Sequence, residues 1–179
     1  DMSLLAAAQA FQVVESGHRW QVEDATIEAA ALNHPQGCLG FRIETAHGTV
    51  AYATDNEPGD ARGDAAVRQL CREADLLIYD AQYSPAMLRQ RRGWGHSSWQ
   101  EGVSVAKDAK ARALVLFHHD PDSDDAAIGR FVQMAREEWP DTCAAAEGLQ
   151  AILRRPTITF ESTSPRVGPR GGYHHEDDQ

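Results

Sequence analysis

An α/β fold is what the sequence predicts, on three observations: two strand pairs open the chain, helical and short apolar runs then alternate, and polar residues cluster where predicted strands end. Residues 11–15 and 19–31 are rich in alternating or β-branched side chains around the turn signal Ser16-Gly17, which predicts a hairpin. A second hairpin is predicted from 39–45 and 49–54, joined by a short loop with His47 and Gly48. The period then changes. Residues 61–74 have helical spacing, with Ala65, Val67, Leu70 and Cys71 inward, and lead into a short buried strand over 76–79. The alternation repeats as a helix over 97–111, a strand over 113–117 and a helix over 124–139 ended by Pro140, followed by strands over 142–146 and 149–154. Residues 1–154 therefore form the folded part. Residues 155–179, rich in Pro, Gly, Ser, Thr and charge, read as a flexible polar tail in which His174 and His175 face solvent.

A chain of 179 residues with 42% apolar content suits one globular domain. The net charge of -10 argues against a general nucleic-acid binder, which would show a basic face. Cys38, Cys71 and Cys143 are odd in number and match no metal-finger spacing, so they read as reduced thiols of a cytoplasmic protein. No apolar run approaches the roughly 18 residues that span a bilayer, and no export signal opens the chain, so no membrane partner is expected. The first residue is Asp1, from which a further segment upstream is expected.

Three polar groups sit at strand ends: Asn33-His34-Pro35, Thr54-Asp55-Asn56-Glu57 and His118-His119-Asp120-Pro121. A rigid sheet can hold ligands there at fixed distances. Imidazole and carboxylate together suit zinc, manganese or iron, and a carboxylate can bridge two metals.

Four separated stretches then carry a resemblance. Leu32-Asn33-His34-Pro35-Gln36-Gly37-Cys38-Leu39-Gly40, Tyr52-Ala53-Thr54-Asp55, Gly93-Trp94-Gly95-His96-Ser97-Ser98 and Leu116-Phe117-His118-His119-Asp120-Pro121 resemble, in order and spacing, successive motifs of metallo-β-lactamase-fold hydrolases. The phosphodiesterase and ribonuclease Z side of that superfamily is the most similar, over residues from about 20 to 154. The resemblance implies the C-terminal half of a four-layer αββα sandwich. It implies two divalent metal ions, zinc with manganese or iron as alternatives. His34 would be a ligand of the first metal, Asp55 the bridging carboxylate and His118 the last histidine, on the second metal; His119 would be a neighbouring polar residue. His96 would be a non-ligand near the scissile phosphate, oriented by Asp80.

On this reading the protein is a metal-dependent hydrolase that cleaves a small-molecule or nucleotide phosphodiester with a water activated by two metals. Arg89, Arg91 and Arg92 are a candidate basic patch for RNA, or else a solvated helix end. Trp94 and Trp99, flanking His96, read as core or pocket wall rather than as a base-stacking platform. The family's His-x-His-x-Asp-His signature occurs nowhere in the 179 residues. The upstream half of the same fold is therefore the expected partner. Alone, the chain is expected to bind metal weakly, to be inactive, and to self-associate or form a homodimer through an uncovered sheet face. The alternatives are a non-catalytic half-fold interaction module and a thioester or lactone hydrolase on the same fold.

Overall fold

A computed structural model describes residues 12–162. Four strands, β1 (Arg19–Val22), β2 (Ala25–Leu32), β3 (Cys38–Thr45) and β4 (Gly48–Ala53), form an antiparallel meander. The same sheet continues in parallel with β5 (Leu76–Asp80), β6 (Ala113–Phe117) and β7 (Thr142–Ala144), in chain order from β1 to β7. Parallel neighbours need crossovers. These are α1 (Ala61–Cys71) between β4 and β5, α2 (Pro85–Gln90) and α3 (Trp99–Ala109) between β5 and β6, and α4 (Asp125–Glu138) between β6 and β7. Each helix begins on a side-chain cap: Asp60, Ser84, Ser98 and Asp124 each accept the backbone N–H three residues on.

Alternation along the strands sorts the two faces. Leu77 and Tyr79 on β5 and Leu114 and Leu116 on β6 are fully buried in one cluster with Val67 of α1 and Val103 and Ala106 of α3. The neighbours Leu76, Ala113 and Val115 point the other way. They are covered by Leu153, Ile158 and Phe160 of a separate hairpin, β8 (Leu149–Arg154) with β9 (Thr157–Ser162). Farther across that face Ile27, Phe41, Ile43 and Tyr52, aligned by register, are only half-buried, and Phe117 is exposed. Among the described residues no helix is long and apolar enough to cross a membrane.

Three expectations change. The first hairpin turns at Glu23-Asp24, with Glu23 in left-handed backbone, so both of its strands lie within the range expected for one. Residues 12–15 form no strand, and residue 11 lies outside the described range. The Ser16-Gly17 turn instead folds back onto β2, where Gly17 N–H donates to Ala29 and Ser16 Oγ accepts from Ala31 N–H. The expected tail from residue 155 begins as β9, because Ile158 and Phe160 alternate with polar residues and complete the apolar contact on Val115. Residues 163–179, with His174 and His175, lie outside the described residues. Helix α2 stands outside the predicted set, although Ser84-Pro85 is a cap followed by a proline suited to a first helical position.

The hairpin is tied down at Asp75, a buried carboxylate just before β5. It accepts from Thr49 N–H at 2.9 Å, Arg112 Nη1 at 2.8 Å and Arg155 Nη2 at 2.8 Å. Burial alone would raise the Asp75 carboxyl, but the bonds from Arg155, Thr49 and Arg112 outweigh it and hold it below the ordinary carboxylate range. A carboxyl depressed in the fold adds stability above its unfolded pKa, and that stability is lost as pH falls through the folded value. Asp75→Asn is expected to cost about 1–3 kcal/mol at neutral pH. Urea midpoints at pH 7 and pH 3 should therefore differ less in the variant than in the wild type; an unchanged difference would show that Asp75 does not couple the hairpin to acid stability.

Candidate metal centre

Parallel pairing brings the C-terminal ends of β4, β5 and β6 side by side, the end of an open α/β sheet where ligands bind. Asp80, the last residue of β5, has no exposed surface. Its Oδ2 accepts from Asp55 N–H at 3.0 Å and faces His96 Nδ1 at 3.1 Å, while Oδ1 accepts from Ser97 N–H at 2.9 Å and Gln82 N–H at 3.2 Å. A carboxylate offers about four lone-pair sites. Asp80 has spent all of them on donors, so it orients its neighbours and is not free to hold a metal.

Asp55 and His118 follow β4 and β6 and both adopt left-handed backbone, with φ of 60° and 57°. Such conformations are uncommon for residues other than glycine and persist where the surroundings enforce them, often at functional sites. The turn at Asp55 aims its carboxylate across the sheet end, where Oδ1 lies 3.1 Å from His118 Nε2 and 3.8 Å from His96 Nδ1. The His96 and His118 rings are 4.8 Å apart. One ligand atom from each of Asp55, Asp80, His96 and His118 lies within 4.8 Å of the others.

His34 stands beside this group. Its ring centre is 5.8 Å from that of His96, and its Nδ1 accepts from Gln36 N–H at 3.2 Å. With Nδ1 spent as an acceptor, the proton sits on Nε2, so His34 meets a metal only by exchanging the Gln36 bond. Gly95 packs directly on it: a methyl group there would lie 2.6 Å from His34 Nε2.

The loop bearing His96 is held by Glu57, which sequence reasoning left without a role. This buried carboxylate accepts from Gly93 N–H at 2.8 Å and Gly95 N–H at 2.9 Å, and both glycines have positive φ. The Glu57 segment is in turn bound to the loop after β2: Glu57 N–H donates to Asn33 O, and Asn33 N–H donates to Asn56 Oδ1. Asn56 Nδ2 and Ser97 Oγ both reach the Tyr79 hydroxyl. The signal available in the sequence was two glycines around Trp94 and an acid in a strand-end cluster, with nothing to say that they meet.

The hydrogen bond to Asp80 raises the His96 imidazole above its ordinary range against the effect of burial, and the charges of Asp80, Asp55 and Glu57 act in the same direction. Burial pushes His119 the other way, with help from His118 and against a backbone hydrogen bond at Ala145. The arginine patch is largely committed. Arg91 pairs with buried Asp120, Arg92 donates to Pro58 O at 2.7 Å, and only Arg89 is left at the exposed end of α2. Trp99 is buried core; Trp94 is 60% exposed.

Among the described residues, the donors gathered here, the Asp55 carboxylate, His118 Nε2 and the unengaged nitrogen of His96, are the carboxylate and imidazole types that suit zinc, manganese or iron. Without His96 they are fewer than the roughly three or four protein ligands of an ordinary zinc site.

The model of the beta-lactamase superfamily domain matches residues 3–119. Ribonuclease BN of Enterobacter sp. is 24% identical over 185 residues, covering 78% of this chain and 61% of that protein. Ribonuclease Z of Streptococcus equi subsp. equi is 33% identical over 115 residues, covering 53% of this chain and 37% of that protein. Among solved structures, the metallo-β-lactamase fold protein YhfI from Bacillus subtilis has a TM-score of 0.62 at 20% identity, over 84% of this chain and 55% of that one. The short form of human tRNase Z has a TM-score of 0.50 at 25% identity, over 70% of this chain and 42% of that one. The chain thus spans about half the length of the proteins it matches, and its seven-stranded sheet and helices have a metallo-β-lactamase fold.

In the metal-free chain, His96 is expected to titrate above ordinary imidazole, and Asp80→Asn to lower it, because a neutral amide no longer stabilises the imidazolium. Histidine ring NMR signals followed against pH test this. A His96 pKa identical in both proteins would remove Asp80 from its positioning role.

Proposed function

The chain belongs to the beta-lactamase superfamily, and on that basis we propose that it is a metal-dependent hydrolase cleaving phosphodiesters. The observation that carries this reading is the pairing of His96 with a buried, fully bonded Asp80 beside Asp55 and His118. A histidine fixed by a carboxylate and raised in pKa can hold a proton near neutral pH for a leaving oxygen. That role suits phosphate-ester cleavage, and relatives named ribonuclease Z and ribonuclease BN support the assignment.

In this proposal Asp55 would be the ligand shared by two divalent ions, zinc with manganese or iron as alternatives, with His118 and, once its Gln36 bond is exchanged, His34 as the further ligands of this chain. Two such ions, when bound, supply a hydroxide near neutral pH and polarise the phosphoryl oxygen. Asp80 keeps His96 Nδ1 engaged, so that Nε2 faces the reacting ester. The remaining ligands would come from an upstream His-x-His-x-Asp-His segment, which residues 1–179 do not contain. The second reading is a half-fold that serves as a non-catalytic interaction module.

For the whole protein, metal analysis after zinc loading is expected to give two ions per chain, with hydrolysis of bis-p-nitrophenyl phosphate. Asp55→Ala should cause the largest loss, since it removes the shared ligand; full activity in that variant, or no bound metal, would end the hydrolase reading and favour the module. His96→Ala is expected to lower turnover by about 100-fold while keeping both metals, the range for general acid catalysis. His118→Ala should lower both turnover and metal content. Loss of one metal equivalent in the His96 variant would make His96 a ligand instead.

A further inference from the structure

Trp94 is the exposed aromatic side chain nearest in sequence to His96, and its surroundings hold it in place. Gly93 and Gly95 on either side are both bonded to the buried Glu57 carboxylate, and Trp94 N–H donates to Arg91 O at 3.3 Å. One face of its indole lies against the Arg91 guanidinium, 5.3 Å from the ring centre. Arg91 is held in turn: it stacks on buried Tyr83 at 5.1 Å and pairs with buried Asp120 at 3.3 Å. Tyr83 meets the His96 ring edge-on at 6.0 Å. The sequence Trp94, Arg91, Tyr83, His96 is thus one packed row that runs from solvent to the candidate centre.

A single exposed apolar side chain usually needs no explanation. This one differs in that its backbone is pinned at both flanks and one of its faces is already covered by a fixed cation. The other face is therefore offered in one orientation, with little ordering left to do on binding. A flat ring laid on it gains stacking, while the guanidinium behind, itself held by Asp120, keeps the indole in place.

We propose that Trp94, backed by Arg91, is a stacking platform for a flat aromatic or heteroaromatic group of the substrate, so that the ester cleaved is an aryl or nucleoside ester. The proposal rests on the hydrolase reading for the place of the reacting phosphate, and it replaces the expectation that Trp94 is core or pocket wall. Trp94 is a specificity residue here, outside the catalytic machinery.

The test compares two probes with the same phosphate, adenosine 5′-monophosphate and ribose 5-phosphate, titrated into the full 179-residue chain and followed by NMR. Trp94→Phe identifies the Trp94 indole N–H signal. Adenosine 5′-monophosphate is expected to bind about 10-fold more tightly than ribose 5-phosphate, in the range for one base stacked on an aromatic ring, and to shift that signal. Trp94→Ala should abolish the preference and Trp94→Phe retain most of it. Equal binding of the two probes, or a preference that survives Trp94→Ala, would overturn the platform even if bis-p-nitrophenyl phosphate is hydrolysed. A Trp94-dependent preference in a protein that hydrolyses no phosphodiester would keep the platform and retire the hydrolase reading.

Discussion

The candidate centre depends on the Asp80 carboxylate. Three segments distant in sequence, the turn after β4, the end of β5 and the loop before α3, each send an N–H or a ring nitrogen to it. With its four acceptor positions filled, a fully buried carboxylate can stay charged without an unsatisfied oxygen. Its negative charge then does two things at once: it fixes the left-handed turn that aims Asp55 and it raises the proton affinity of His96. Removing the charge would loosen Asp55 and His96 together, because both are held by the same oxygen, Asp80 Oδ2.

Glu57 has the matching role in the layer outside it. Its carboxylate holds the glycine loop that carries Trp94 toward solvent and His96 inward, and Gly95 is small enough to let His34 close against that loop. Two buried acids thus shape the site from beneath while Asp55 and His118 stay partly exposed, with side-chain exposures of 35% and 31%. At the other end of the sheet Asp75 does similar work, gathering Thr49, Arg112 and Arg155 so that the β8–β9 hairpin stays on its face. With Asp120, held by Arg91 and Asp122 N–H, these are the four buried carboxylates of the described residues, and each is matched by local donors.

The helix-bearing face and the opposite face differ in completeness. Leu77, Tyr79, Leu114 and Leu116 are sealed by α1 and α3, whereas Ile27, Phe41, Ile43 and Tyr52 are only half covered by the described residues. A sheet that buries both faces reads as apolar on both, which is why β5 and β6 look like unbroken apolar runs. The half-covered face is consistent with a chain that spans about half the length of the proteins it matches.

Local pattern was enough for most elements. Period-2 and period-3.6 spacing placed β3, β4, α1, β5, α3, β6 and α4 within a few residues, because each buries one face and the chain must repeat at that interval to do so. The strand-end positions of His34, Asp55 and His118 were legible for the same reason. Strand β9 and helix α2 were not, since β9 lies in a stretch dominated by Pro, Ser, Thr and charge and α2 is under two helical turns long. The α/β class, the order of elements and the polar residues at strand ends were thus written in the sequence. Tertiary structure alone decided that Asp80 is saturated, that Glu57 holds the Trp94 loop, that Arg91 is spent on Asp120 and that His34 has its Nδ1 engaged. These are contacts between residues from 2 to 38 positions apart whose partners are chosen by three-dimensional proximity, and a one-dimensional pattern carries no record of which donor reaches which acceptor.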